Sequence, residues 1–201
     1  MSSLIALIKK SKAVKKELVS STIRMTIEEN SFIEDLAEYL SLSKQETMLN
    51  LLQAGVEIAE KELNLNSLEE ELENNNFFIL NTNKRHSVID HDNILKNGVS
   101  AAFYAPSKYS IDRIKKGDTV FLYENGVGII AYGKGTGNTL TKDHNGNKDE
   151  CHYQVLEDFV RLDKPLSAKD IKKILGRNVV FLRTMSGITD GQQILDEIIK
   201  G

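Results

Sequence analysis

The sequence is short of the residues that restrict or staple a chain. It has one cysteine (Cys151), two prolines and no tryptophan in 201 residues, and aromatics make up only 6%. A single cysteine forms no internal disulfide, which excludes a stapled secreted fold and fits a reducing, cytoplasmic setting. Without tryptophan, a tryptophan-walled cage is impossible, and any stacking surface must come from phenylalanine or tyrosine. Apolar runs stop at about five residues, and Leu4–Ile8 leads straight into lysines, so nothing reads as a signal peptide or membrane span. What is present is globular: 40% hydrophobic and 27% charged residues, enough for one large domain or two small ones.

The net charge of −3 conceals a strong asymmetry. Lys9 to Arg24 holds six cations against Glu17 alone, whereas Glu28 to Glu73 holds 13 acids against Lys44 and Lys61. A basic N-terminal arm (1–20) ahead of an acidic segment is an electrostatic mark, not a uniform surface. The polar, acidic stretch NLNSLEEELENNN (64–76) reads as a linker or helix extension between two units.

In the first unit, Thr22-Ile23-Arg24-Met25-Thr26-Ile27 alternates, the pattern of a half-buried strand. Ser31 with Glu34, then Ser43 with Glu46, form two capping-box signatures, each followed by apolar residues at helical spacing. A lone six-residue strand with two helices cannot close a core, so the unit is expected to pair with a second copy. From Thr22 to Leu63 this order of strand, short helix, tight turn and long helix resembles the ribbon-helix-helix family of DNA-binding proteins. The resemblance implies an intertwined homodimer on double-stranded DNA, with Thr22, Arg24 and Thr26 contacting bases. It implies phosphate contacts from Ser43 and Lys44 at the second helix start, and the arm adds Lys9, Lys10, Lys12, Lys15 and Lys16.

The second unit (77–201) reads as α+β. Short strands are expected at Phe77–Leu80, Ser100–Ala105, Thr119–Tyr123, Val127–Tyr132, Phe159–Leu162 and Val179–Arg183. An Asn125-Gly126 hairpin turn joins two of them. Ser167 caps a helix through Leu175, and Gly191–Ile199 closes the chain. The stretch Ile114-Lys115-Lys116-Gly117-Asp118-Thr119-Val120-Phe121-Leu122-Tyr123, with the hairpin and glycines after it, resembles the PUA-like superfamily and its EVE and YTH branches. That resemblance implies a small β-barrel with flanking helices that binds RNA or a modified or flipped base. The implied pocket residues are Asn81 and Asn83 for the base edge and Phe103, Tyr104, Tyr109 and Tyr132 for stacking.

Other signals do not survive their own chemistry. Gly133-Lys134-Gly135-Thr136-Gly137 lacks the spacing of a phosphate loop and opens no helix. Asp143, Asn145 and Asn147 start like a calcium loop, but Lys148 and Gln154 stand where glycine and glutamate are required. His144, Cys151 and His152 have no fourth zinc ligand at a usual spacing. Adjacent Cys151 and His152 make a poor catalytic pair, and Asp90-His91-Asp92 has no identifiable serine. The sequence thus predicts no enzyme, metal or cofactor. It predicts a homodimeric DNA-binding regulator of the kind mobile elements carry, or else an RNA or modified-base reader that only dimerises through its first unit.

Overall fold

The computed structural model describes residues 20–63, 76–179 and 181–200. The chain divides into two compact units at Ala59–Glu60.

In the N-terminal unit, Ile27–Leu40 forms helix α1 and Lys44–Glu62 forms helix α2. The helix start departs from the sequence expectation. Thr26 is the N-cap of α1: its hydroxyl accepts from the Glu29 amide at 3.1 Å, and Glu29 accepts from the Thr26 amide at 2.8 Å. This capping box lies five residues ahead of the Ser31 signature. It takes Ile27 into the helix and leaves residues 20–26 outside any helix or strand in the single chain. Two acids in the first turn, Glu28 and Glu29, favour that start by facing the positive end of the helix. The second capping box is where the sequence places it, with Ser43 and Glu46 exchanging bonds at 3.0 and 3.2 Å. Ser41, in the left-handed conformation, reverses the chain between the helices.

This pair of helices barely covers itself. Among its described residues only Ala37 and Thr47 are buried, while Ile23, Phe32, Leu49, Leu52, Val56 and Ile58 are exposed.

The C-terminal unit is α+β. Its elements are β1 (Phe77–Asn81), α3 (Val88–Asn97), β2 (Val99–Phe103), a 3-10 helix (Ser107–Arg113), β3 (Thr119–Glu124), β4 (Gly128–Gly135), β5 (Leu140–His144), β6 (Asn147–Leu166), α4 (Ala168–Leu175), β7 (Met185–Gly187) and α5 (Gly191–Lys200). The strand order is β2-β6-β4-β3-β1-β7, with β5 added to β6. Only β1 and β3 run parallel; the other pairings are antiparallel. Among the described residues β2 and β7 do not pair, and the strands form a curled half-barrel sheet flanked by helices, an α+β architecture as expected.

Two strands differ from the sequence reading. Phe159–Leu162 is part of the 20-residue β6, which spans both halves of the sheet. Of the run expected as a last strand at Val179–Arg183, the described residues 179 and 181–183 lie in no strand; the strand is Met185–Gly187, paired with β1. Val179 is buried, and Phe181 stacks on Tyr123 at 4.5 Å.

The central strands are buried on both faces, which is why they read as continuous apolar runs. Phe78, Leu80, Val120 and Leu122 face one core, closed by Ile94 and Leu95 of α3 and by Ile111. Ile79, Phe121 and Tyr123 face the other, closed by Ile171 and Leu175 of α4 and Ile194 and Leu195 of α5. The glycines at 133–137 serve this packing. A Cβ on Gly135 would lie 2.4 Å from the Ile114 side chain, and its amide and carbonyl bond Asp118 and Gly117.

Buried Gln154 ties this corner together. Its Nε2 offers two hydrogens among the carbonyls of Ile111 and Ile114 and the Thr139 hydroxyl, at 3.0, 3.0 and 3.1 Å. Its Oε1 accepts from the Gly137 amide at 3.0 Å. Gln154→Leu keeps the volume but strands these groups, so urea unfolding is expected to show a loss of about 2–4 kcal/mol. Cys151, fully buried between β2 and β5, has its thiol pushed up to about 11 by burial. The thiolate is the reactive form, so iodoacetamide at pH 8 is expected to leave the native protein untouched and label it only after unfolding in urea.

Candidate ligand cleft

The end of β1 prepares one wall of a cleft. The Asn81 backbone amide bonds the Thr184 carbonyl at 2.9 Å, while its side-chain Oδ1 accepts from the Asn83 amide at 3.0 Å. That bond holds Asn83 in the left-handed region (φ 64°), which asparagine tolerates better than most residues. It also orients the amide of Asn81, whose Nδ2 carries two hydrogens to donate. Behind it, buried Thr82 places its hydroxyl 3.2 Å from the Tyr123 carbonyl and 2.8 Å from His91 Nδ1. Burial lowers the pKa of His91, against the opposing pull of Glu124.

The opposite wall begins where β2 ends. Phe103 packs against the first core, and Tyr104 follows with φ 59°, an uncommon conformation for a bulky side chain. The Tyr104 amide bonds the Glu150 carbonyl at 2.9 Å and its carbonyl accepts from Lys108 at 2.8 Å, which fixes the corner. Leu182, Arg183 and Thr184 supply the third side. Together with His86 and Ser107 these residues enclose a cleft of about 250 Å³. Its lining residues include Phe103, Tyr104, Asn81 and Arg183, and no aspartate or glutamate is among them. Such a lining suits a planar, acceptor-rich or anionic ligand.

The cleft thus brings together four residues picked out in the sequence: Asn81, Asn83, Phe103 and Tyr104. Both Phe103 and Tyr104 line it, although alternation along a strand would send one side chain away; Tyr104 lies just past β2 and has a positive φ. Tyr109 and Tyr132 are elsewhere. Tyr109 sits on the 3-10 helix with its edge against the His152 ring at 5.4 Å, and His152 Nδ1 is 2.9 Å from Asp112. Tyr132 packs near Phe121 and lines a wider groove of about 810 Å³ between β6, α4 and α5. That groove sets Asp163, Asp170 and Glu197 against Arg161, Lys164 and Lys173, a balance with no preference for an anion.

Sequence reasoning missed the support behind Tyr104. Its Oη is 3.1 Å from His144 Nδ1 and accepts from Asn145 Nδ2 at 2.9 Å. His144 Nε2 lies 3.1 and 3.0 Å from the two oxygens of Asp90. The signal was absent because Asp90 and His144 are 54 residues apart. With His144 on Asp90 and His152 on Asp112, the two histidines once weighed as zinc ligands have other partners. No group of three or more His, Cys, Asp or Glu side chains that could hold a metal ion occurs among the described residues.

The expected DNA-contacting residues fall in the N-terminal unit, and several are engaged locally. Thr22 and Arg24 are exposed. The Thr26 hydroxyl is spent as the α1 cap, so in the single chain it is not free to read a base. Ser43 caps α2, and Glu46 occupies the helix start where a phosphate was expected. Lys44 bonds Glu34 at 2.8 Å and also Asn30. Lys9, Lys10, Lys12, Lys15 and Lys16 lie outside the described residues, as does the linker at 64–75. No helix among the described residues is long and apolar enough to cross a membrane.

No family model and no curated protein matches the sequence. Among solved structures, the chain is similar to the NMR structure of Rpa0253 from Rhodopseudomonas palustris. The two share 14% identity at a TM-score of 0.43, covering 61% of this chain and 91% of the other.

Proposed function

We propose that the protein is a homodimeric DNA-binding regulator whose C-terminal, PUA-like unit holds one unstacked or modified base. The observation that carries the reading is the cleft that gathers Asn81, Asn83, Phe103 and Tyr104 with Arg183 and without a carboxylate. On this reading a base stacks on an aromatic wall of the cleft and its acceptor atoms meet the Asn81 Nδ2 donor. The unpartnered apolar faces of α1 and α2 support dimerisation, since a second copy is the simplest cover for them. Arg24, exposed ahead of α1, is the residue for major-groove readout.

A second reading is favoured by the carboxylates of the N-terminal unit. Glu46 takes the α2 helix start and Glu34 takes Lys44, which leaves fewer groups for phosphate. In this reading the helices only dimerise, and the cleft binds RNA or a modified base.

Salt-dependent binding to duplex DNA and to single-stranded RNA separates the two. On the first reading Arg24→Ala is expected to abolish the preference for duplex, and wild type shows a steep salt slope. RNA preference unmoved by Arg24→Ala would instead establish the second. The cleft has its own test. Asn81→Asp still accepts the Asn83 amide but has no N–H to offer, so single-strand binding is expected to fall about tenfold or more, as buried recognition bonds do. Asn81→Asp binding as wild type does would remove Asn81 from recognition.

A further inference from the structure

We propose that Asp90 and His144 are positioning residues of the cleft, holding the Tyr104 ring as its wall through the tyrosine hydroxyl. The inference rests on the cleft being the ligand site, and it adds the device that shapes it.

With the imidazole in its neutral form the hydrogen bonds run in one direction. A carboxylate accepts and never donates, so Asp90 places the single N–H of neutral His144 on Nε2, 3.0 Å away. Nδ1 is then an acceptor and takes the Tyr104 hydroxyl hydrogen at 3.1 Å. Oη keeps a lone pair for the Asn145 amide at 2.9 Å. The chain reads Asn145 to Tyr104 to His144 to Asp90. It joins α3, the corner after β2 and the β5–β6 hairpin, and both His144 and Asp90 are nearly buried.

Two consequences follow from this order. The Tyr104 hydroxyl is consumed inside the protein, so the cleft is offered the ring and not the O–H. The imidazole also backs both aromatic walls, with centroids 4.4 Å from Phe103 and 5.3 Å from Tyr104. Tyr104 stands on a positive-φ corner with 41% of its surface exposed, where a ring with no tether would sample other rotamers. Asp90 and His144 therefore remove conformational freedom before a ligand arrives, and a ligand at this wall is recognised by stacking.

The test uses the full chain with labelled short oligo(dT) and oligo(dA) as probes. Asp90→Ala and Tyr104→Phe are each expected to weaken binding about fivefold, the worth of one ordinary hydrogen bond. The double variant is expected to lose no more than either alone, because both break the same chain. Asp90→Asn, whose Oδ1 still accepts from Nε2–H, is expected to bind as wild type does. Additive losses, or Asp90→Asn as weak as Asp90→Ala, would overturn the proposal. A ligand-free arm reads the same device by NMR of the ¹⁵N-histidine protein. Wild type is expected to show His144 as the Nε2–H tautomer with a slowly exchanging ring proton, and Asp90→Ala to lose that signature and average the Tyr104 ring signals. Unchanged signals in Asp90→Ala would also refute positioning. Should Asp90→Ala not fold, Tyr104→Phe is expected to keep the Asp90-held Nε2–H tautomer while the ring signals at position 104 average, and a ring as fixed as in wild type would refute positioning. Wild type failing to bind either strand would count against the base-binding reading, while the histidine spectra would still decide the positioning.

Discussion

The C-terminal unit depends on one buried side-chain amide. Gln154 sits midway along β6, where the strand passes from pairing with β2 and β5 to pairing with β4. The groups on the far side of this point belong to turns: the carbonyls of Ile111 and Ile114 at the end of the 3-10 helix, and the Gly137 amide and Thr139 hydroxyl after β4. An amide carries both donors and an acceptor in one plane, so a single glutamine meets all of them. A carboxylate would lack the donors and an aliphatic chain would lack everything. The 3-10 helix that it anchors also carries Ser107 into the cleft, so the packing of the core and the shape of the site share one fastening.

Close approach is the second constraint, and it explains the glycine-rich stretch better than ligand chemistry does. Gly135 lies against Ile114 and the Lys115 carbonyl, and Gly133 against Leu156. Any Cβ there would push β4 away from the segment that Gln154 holds, and overpacking of this kind costs about 1–3 kcal/mol per site. Gly137 adds a conformational reason, since its φ is +72° and its backbone meets Lys116. The motif that tempts a phosphate-loop reading is therefore a seam between two pieces of backbone.

How much of this was legible followed the range of the interaction. Signals closed within a few residues came through: the Ser43–Glu46 cap, the Asn125-Gly126 turn, the Ser167 cap and the closing helix. Thr26 and Glu29 were equally local but were hidden by a competing period-two pattern through Ile27. The hydrogen bonds available to one chain decide for the helix. The β5–β6 hairpin was missed because its residues are polar and mostly exposed, leaving no hydrophobic alternation to read. For the cleft, aromatic and amide residues near strand ends could be picked out as types, which recovered Asn81, Asn83, Phe103 and Tyr104. Nothing local distinguished Tyr104 from Tyr109 or Tyr132. That choice is made by topology, which carries His144 and Asp90 to one tyrosine and Asp112 with His152 to another.

The N-terminal unit meets a constraint that any dimer must respect. Thr26 and Glu29 close α1 from both sides of its first turn, and a ribbon strand that included Thr26 and Ile27 would have to unwind that cap. Loss of an N-cap costs about 1 kcal/mol, in each of two copies. A ribbon confined to Thr22–Met25 avoids the cost and still places Ile23 and Met25 on one face and Arg24 on the other. What would make the dimer worthwhile is the cover it gives to Phe32, Leu49, Leu52 and Val56, each of which gains roughly 1.5–3 kcal/mol when fully buried. Burial of even part of that surface outweighs two caps, so in the proposed dimer the helices would drive association. Under the same proposal, base readout by such a ribbon would fall on Thr22 and Arg24 while Thr26 stays with its helix.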